Sequence, residues 1–143
     1  MKTILIADDN SFILDGLATT FGILLKNCTI LIAENGMQAV KIMESVPVDL
    51  IVTDLSMPVM DGYQLIEHTK KAYPHIPVFV MTGVHTADVA ERLRQLGVFQ
   101  CVEKPFDYEA LAHGIADVLE EKSATLAVAG DRSQAHHENF GRV

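Results

Sequence analysis

The segment that decides the fold is residues 50–58, which read LIVTDLSMP. Its first three residues are apolar and Thr53 continues the run, a pattern that predicts a short strand buried on both faces. The run ends in the carboxylate of Asp54, and Pro58 prevents an ordinary continuation of the strand. Ligands of open α/β sheets bind at the C-terminal edge of the strands, which makes Asp54 a candidate functional residue. Taken alone, the pattern fits an aspartate that caps a loop equally well.

Three other strand-like runs also end in polar side chains. These runs and the residues that follow them are 3–7 with Asp8 and Asp9, 78–81 with Thr82, and 99–102 with Lys104 and Pro105. If all four runs form parallel strands, their C-terminal ends meet at one edge of the sheet. Three carboxylates, one hydroxyl and one ammonium group would then share a crevice.

Polar capping residues and apolar periodicity predict helices between and after the strands. The predicted strands are 3–7, 29–33, 48–53, 78–82 and 99–102, and the predicted helices are 11–26, 36–45, 63–73, 87–96 and 108–122. This alternation predicts an α/β fold with a parallel sheet covered on both faces and right-handed crossovers. Residues 123–143 are rich in Ala, Ser, Gly and His, and we expect a tail that is mobile or extends the last helix.

Charge and composition argue against several classes of protein. The chain has 11 basic and 19 acidic residues, a formal net charge of −8, whereas direct nucleic-acid binding needs a basic face. No apolar run approaches the roughly 18 residues that span a bilayer, and no signal peptide follows Met1. Cys28 and Cys101 form no C-x-x-C pair, which is typical of structural thiols in a reducing compartment. We therefore expect one folded domain in the cytoplasm, without a nucleic-acid or membrane partner.

The polar residues at the strand ends resemble the signature of the receiver domain (CheY-like) of two-component response regulators. The matching residues are Asp8, Asp9, Asp54, Thr82, Lys104 and Pro105, in this order along the chain. The resemblance covers roughly residues 1–122 and implies a flavodoxin-like doubly wound sheet with strand order 2-1-3-4-5 and five helices. It also implies a phosphorelay switch, monomeric or weakly dimeric, that receives a phosphoryl group from a sensor histidine kinase or phosphotransfer protein and then binds an output partner differently.

The acidic residues of this signature would form a magnesium site. Two carboxylates a few Å apart repel by roughly 4 kcal/mol at an effective dielectric constant of about 20, so proteins usually hold such clusters for a hard cation. By resemblance, Asp9, Asp54 and the backbone carbonyl of Ser56 would bind Mg²⁺ directly. Asp8 would act mainly through water. Asp54 would also be the nucleophile that becomes an aspartyl-phosphate, and Lys104 would offset charge on the transferring oxygens.

The other residues of the signature would control the response to phosphorylation. By resemblance, Thr82 would offer its hydroxyl to the phosphoryl group, and a cis Lys104–Pro105 bond would turn the ammonium into the crevice. In receivers, the residues two positions after the aspartate and two after the threonine influence the phosphoryl lifetime; here they are Ser56 and Val84. The resemblance implies a signalling switch rather than an enzyme, with self-phosphorylation from small donors and self-dephosphorylation.

One position departs from the family pattern. Most receivers carry an aromatic residue three positions before the lysine, and this chain has Cys101 there. Phe99 has the same strand parity and is a candidate substitute, although it lies farther along the strand. The usual account of how receivers propagate their signal therefore does not carry over to this chain.

Two alternative functions remain open. A phosphohydrolase of the haloacid-dehalogenase type also uses an aspartate nucleophile and Mg²⁺, but typically needs a second aspartate two residues later, where this chain has Ser56. Sustained turnover of a small phosphate ester would favour it. A flavodoxin-like flavin binder should have its phosphate loop after the first strand, where Asp8 and Asp9 would repel a phosphate. A colourless purified protein would argue against flavin.

Overall fold

Five parallel strands and five helices alternate along the part of the chain that the structure describes. The computed structural model describes residues 1–127, with side chains as far as Glu120. The strands are β1 (Lys2–Ala7), β2 (Cys28–Ala33), β3 (Leu50–Asp54), β4 (Val78–Thr82) and β5 (Gln100–Glu103), and the helices are α1 (Ser11–Leu24), α2 (Gly36–Ser45), α3 (Gly62–Ala72), α4 (Ala87–Gln95) and α5 (Tyr108–Ala127). The strands form one sheet in the order β2-β1-β3-β4-β5, which confirms the predicted flavodoxin-like fold and strand order.

Helices cover both faces of the sheet because consecutive strand residues point in opposite directions. On β1, Ile4 and Ile6 pack with the apolar residues of α1 and α5. Leu5 and Ala7, which alternate with them, pack with α2 and α3 on the other face. All five residues of β3 are buried, as expected for a central strand of a parallel sheet.

All five helices begin at a polar side chain that accepts hydrogen bonds from their first turn. These residues are Asn10, Asn35, Asp61, Thr86 and Asp107. At α3 the cap is reciprocal, because Gln64 Oε1 also accepts a hydrogen bond from the Asp61 N–H. The helices therefore start close to the C-terminal ends of the strands, and the connecting loops at that edge are short.

The start of β5 decides the position of Phe99. The strand begins at Gln100, one residue later than predicted, and Phe99 lies in the bend before it. Its ring stacks on Phe79 with centroids 5.2 Å apart, against the α1/α5 side of the sheet. Cys101 packs on the opposite side, with residues such as Val80 and Leu93. The suggestion that Phe99 replaces the missing aromatic residue was therefore wrong, since strand parity does not extend into the bend.

Several strand and helix ends differ from the predicted ones by a few residues. β3 begins at Leu50 rather than at residue 48, α1 ends at Leu24 rather than at 26, and α5 continues to Ala127, past the predicted end at residue 122. Residues 128–143 lie outside the described part of the chain, so the division into a receiver domain and a tail stays a prediction. Among the described residues, no helix combines the length and apolar character needed to cross a membrane.

Candidate functional site

Three carboxylates meet at the C-terminal edge of the sheet. β1 and β3 are neighbours, with Ala7 paired to Thr53, so the residues that follow them lie side by side. Asp8, Asp9 and Asp54 each place an oxygen within 4.8 Å of the others. Asp8 is fully buried, Asp54 is 7% exposed, and Asp9 lies open to solvent. The site therefore has two fixed inner carboxylates and one outer carboxylate.

Both oxygens of Asp8 are engaged by other groups. Oδ1 accepts a hydrogen bond from the backbone N–H of Asn10 at 2.9 Å. Oδ2 accepts one from the Nζ of Lys104 at 3.0 Å. Asp8 is thus held in one orientation by two hydrogen bonds, one to each of its carboxylate oxygens.

The side chain of Asp54 is held from one side by the backbone of the next residue. Its Oδ1 accepts a hydrogen bond from the Leu55 N–H at 2.8 Å, and its Oδ2 lies 3.3 Å from Lys104 Nζ. Burial and the neighbouring Asp8 carboxylate raise the pKa of Asp54, and the attraction of Lys104 only partly offsets them. The ionised carboxylate is therefore less stable here than in water, and added positive charge would stabilise it.

Lys104 connects the inner carboxylates. Lys104 follows β5, and its backbone N–H donates a hydrogen bond to Thr82 O at 2.8 Å. This bond aligns the C-terminal ends of β4 and β5. Burial lowers the pKa of Lys104, but the hydrogen bond to Asp8 and the charge of Asp54 outweigh burial and raise it overall. The side chain is therefore a cation at neutral pH. The Lys104–Pro105 peptide bond is cis.

The start of α3 packs directly against the segment that carries Asp54. The Gly62 N–H donates to Leu55 O at 2.9 Å. A Cβ at Gly62 would overlap the backbone oxygen of Asp54 and would lie 2.7 Å from the Leu55 Cα. Only glycine fits at this close approach, so Gly62 sets the backbone position of Asp54.

Thr82 lies across a cleft from Asp54, at the end of β4. Its hydroxyl donates to Val84 O at 2.9 Å and accepts from the Val84 N–H at 3.0 Å. The cleft has a volume of about 600 Å³. Its lining residues are Asp54, Leu55, Ser56, Met57, Asp61, Tyr63, Thr82, Gly83, Val84, Val89 and Lys104. Ser56 and Val84, the two positions expected to affect phosphoryl lifetime, both lie on this lining.

Three residues of the site region were not singled out from the sequence. Gly62 could have been found, because a glycine directly after the capping residue Asp61 is an unusual first helical residue. Val59, with a φ of 69°, adopts a left-handed conformation that β-branched residues rarely take, and nothing in its identity signals this. His85 places its Nδ1 3.6 Å from the Sγ of Cys101, a contact between separate elements that the sequence pattern does not indicate.

The donor set fits a hard cation. Three carboxylates offer only oxygen ligands within a few Å of one another, which is the chemistry that Mg²⁺ and Ca²⁺ prefer. The raised pKa of Asp54 agrees with this, because burial and the Asp8 carboxylate both disfavour the ionised form and Lys104 only partly offsets them. Asp9, the exposed member, is the carboxylate most open to a hydrated ion.

Comparison with known proteins gives a consistent family assignment. The model of the response regulator receiver domain matches residues 4–135. The receiver domain of a DNA-binding response regulator from Colwellia psychrerythraea is 30% identical, with a TM-score of 0.78, and the alignment covers 84% of this chain and 99% of that one. A CheY-like receiver domain from Methanospirillum hungatei superposes with a TM-score of 0.80 at 24% identity, over 87% of this chain and 98% of that one, and shows the same fold.

The curated relatives are much longer proteins. The transcriptional regulatory protein GlrR of Escherichia coli K12 is 33% identical over 122 residues, which are 84% of this chain and 27% of that protein. The DNA-binding transcriptional regulator NtrC of the same strain is 36% identical over 76 residues, which are 53% of this chain and 16% of that protein. The match thus falls on a part of each relative, and DNA binding is stated for the whole of NtrC. The expectation that this chain does not itself bind nucleic acid stays a prediction.

Proposed function

Because this chain belongs to the receiver-domain family of response regulators, we propose that it is a phosphoacceptor switch in which Asp54 receives a phosphoryl group. The observation that carries the proposal is the position of Asp54. It is a buried carboxylate within ligand distance of two others and 3.3 Å from a lysine ammonium, and it lines an open cleft. These features support a role for Asp54 as nucleophile, with charge-stabilising groups beside it and a cleft through which a phosphodonor would approach.

Mg²⁺ is the cofactor of this proposal. Asp9, Asp54 and the backbone carbonyl of Ser56 would hold the ion, and Asp8, whose two oxygens are engaged, would act through water. When bound, the ion would supply positive charge that offsets both the carboxylates and the oxygens of the incoming phosphoryl group.

The side-chain contacts of Asp54 suggest which atom reacts. Oδ1 is committed to the Leu55 N–H, so Oδ2 is the oxygen that attacks phosphorus. A new O–P bond forms at Oδ2 when the donor is a phosphohistidine. The bond from phosphorus to the imidazole nitrogen of that phosphohistidine breaks, and its electron pair remains on the nitrogen. Lys104, 3.3 Å from Oδ2, is positioned to bind an oxygen of the transferred group.

Thr82 would transmit the change to the loop after β4. A hydroxyl donates one hydrogen bond, and Thr82 now donates to Val84 O. To donate to a phosphoryl oxygen on Asp54, it must release that carbonyl. Phosphorylation is thereby coupled to the backbone of Val84.

The partners follow from the family. The phosphodonor would be a sensor histidine kinase or a phosphotransfer protein, and the output would be a partner domain or protein bound differently after phosphorylation. The matched relatives are transcriptional regulators of which this chain spans 27% or less, so transcriptional output belongs to the same proposal. A cytoplasmic location and a monomeric or weakly dimeric state are further parts of it.

The experiment that tests the proposal uses acetyl phosphate and Mg²⁺ with the purified chain. Intact mass should increase by one phosphoryl group, and peptide mapping should place it on Asp54. Asp54→Asn should abolish the addition, because an amide is a poor nucleophile. Asp61→Asn is the matched control, because Asp61 lines the same cleft and asparagine caps a helix as well as aspartate does. Labelling of Asp54→Asn at the wild-type rate would refute the assignment.

Replacing acetyl phosphate with a small phosphate ester distinguishes the phosphohydrolase alternative from the switch. It needs a carboxylate two residues after Asp54, and the side chain there is the hydroxyl of Ser56. A switch carries at most one phosphoryl group per chain and hydrolyses it slowly. A hydrolase instead continues to release phosphate from a small ester. Continued release at many equivalents per chain would favour the hydrolase.

A further inference from the structure

The loop between β4 and α4, residues 83–86, is held by three side-chain contacts. Val84 exchanges two hydrogen bonds with the hydroxyl of Thr82, at 2.9 and 3.0 Å. The ring of His85 contacts Cys101 of β5, with Nδ1 3.6 Å from Sγ. Thr86 caps α4 by accepting from the Val89 N–H at 3.2 Å. The contact of His85 connects this loop to the neighbouring strand, β5.

Cys101 is fixed in position and keeps its proton. It pairs with Val80 in the sheet and is 1% exposed. Burial, reinforced by the charge of Glu103, raises the pKa of the Cys101 thiol to about 11. A protonated thiol has one S–H to donate, and a neutral imidazole accepts at one nitrogen only. The link proposed below takes the Cys101 S–H as the donor to Nδ1, which places the proton of the His85 ring on Nε2.

We propose that Cys101 and His85 form a side-chain link that holds the β4–α4 loop in the conformation in which the Thr82 hydroxyl is hydrogen-bonded to the Val84 backbone. Phosphorylation at Asp54 opens this link. The inference rests on the proposed function of Asp54. It assigns His85 as a positioning residue that acts through the loop. It also gives a role to the cysteine that stands where most receivers have an aromatic residue.

The geometry connects the link to the phosphoacceptor in two steps. Thr82 must release Val84 O before its hydroxyl can donate to a group on Asp54, and His85 is the next residue after Val84 in the chain. Movement of the Val84 backbone therefore displaces the His85 backbone and lengthens the contact to Cys101. The loop has room for this movement, since a Cβ built on Gly83 would meet no atom within 4 Å and Val84 is 61% exposed.

A link that stabilises only the unphosphorylated conformation opposes phosphorylation by its own free energy. Its removal should strengthen binding of a phosphoryl analogue by about two- to tenfold, the factor that corresponds to one hydrogen bond of typical net strength. Because the two side chains act as a pair, Cys101→Ala, His85→Ala and the double variant should show the same gain. If the two substitutions acted through independent packing effects, their gains in affinity would multiply in the double variant.

The experiment measures the affinity of the chain for beryllofluoride, a stable phosphoryl analogue, in the presence of Mg²⁺. Nitrogen NMR of the His85 ring provides a second readout that simple packing would not change. We expect the Nδ1 resonance of His85 to show the shift of a hydrogen-bonded acceptor in the wild type, and that shift to be lost in Cys101→Ala and on binding of the analogue. Gains in affinity that multiply in the double variant, or a His85 signal unchanged by both perturbations, would overturn the link.

The test separates failure of the link from failure of the proposed function. If the wild type does not bind beryllofluoride, or if Asp54→Asn binds it equally well, the phosphoacceptor assignment fails. If the wild type binds it through Asp54 but the His85 variant has unchanged affinity, only the link fails. His85→Ala alters a partly exposed loop residue, so this arm remains informative even if Cys101→Ala disturbs the core.

Discussion

Asp54→Asn should make the metal-free protein more stable, although it removes the proposed nucleophile. Burial and the Asp8 carboxylate raise the pKa of Asp54, so the folded protein disfavours the charge that this side chain carries at neutral pH. Asparagine has nearly the same shape and keeps an oxygen that can accept from the Leu55 N–H. The substitution therefore removes a charge while it preserves the local hydrogen bond.

The distances indicate the size of the effect. At an effective dielectric constant of about 20, the Asp8–Asp54 repulsion within 4.8 Å is at least about 3.5 kcal/mol, and the Lys104–Asp54 attraction at 3.3 Å is about 5 kcal/mol. The attraction exceeds the repulsion by at most about 1.5 kcal/mol, so desolvation of the buried carboxylate, which amounts to several kcal/mol, decides the sign. We expect Asp54→Asn to raise the free energy of unfolding by about 1–2 kcal/mol.

The assay is urea denaturation in EDTA, with Asp61→Asn as a control that should stay within about 0.5 kcal/mol of the wild type. The pH dependence provides a check on the cause. The pKa of Asp54 is higher in the folded than in the unfolded chain, so the wild type gains stability relative to Asp54→Asn as pH falls through the folded-state pKa. A variant that is less stable than the wild type at pH 7, or an advantage that does not shrink on acidification, would refute the reasoning.

Three further predictions follow from the same region. Mg²⁺ at ten times its dissociation constant should raise the free energy of unfolding by about 1.4 kcal/mol, and a melting temperature unchanged up to tens of millimolar, roughly the range of weak Mg²⁺ sites, would argue against the metal site. Val59→Gly should raise stability by about 0.5–1 kcal/mol in urea denaturation, because Val59 has a φ of 69° and is 78% exposed. The control Val46→Gly, at an extended φ of −138°, should lower it. Val84→Glu combined with Ser56→Asn should shorten the phosphoryl lifetime after donor removal, since valine cannot hold a hydrolytic water by a hydrogen bond; a double variant that decays no faster would show that water positioning does not set the lifetime.

The fold was predictable from local patterns. The strands β1 to β4 are short, largely apolar runs, each helix starts at a polar cap, and their alternation allows few arrangements other than a doubly wound parallel sheet. Because parallel strands present their C-terminal ends at one edge, the run that ends in Asp54 and the run before Asp8 also predicted where the acidic residues would meet. The sheet order and the carboxylate cluster agree with that reasoning.

The contacts that govern the site depend on atoms far apart in the chain, and sequence patterns do not specify them. Strand parity predicted that Phe99 could take the place of the aromatic residue, but the start of β5 at Gln100 turned its ring to the other face. The pairing of Cys101 with His85, and the division of Lys104 between two carboxylates, depend on distances of a few Å between separate elements. Periodicity fixes the face of a residue inside a regular strand or helix, whereas the residue at which that element begins and the partner that a side chain meets are decided by how the whole chain packs.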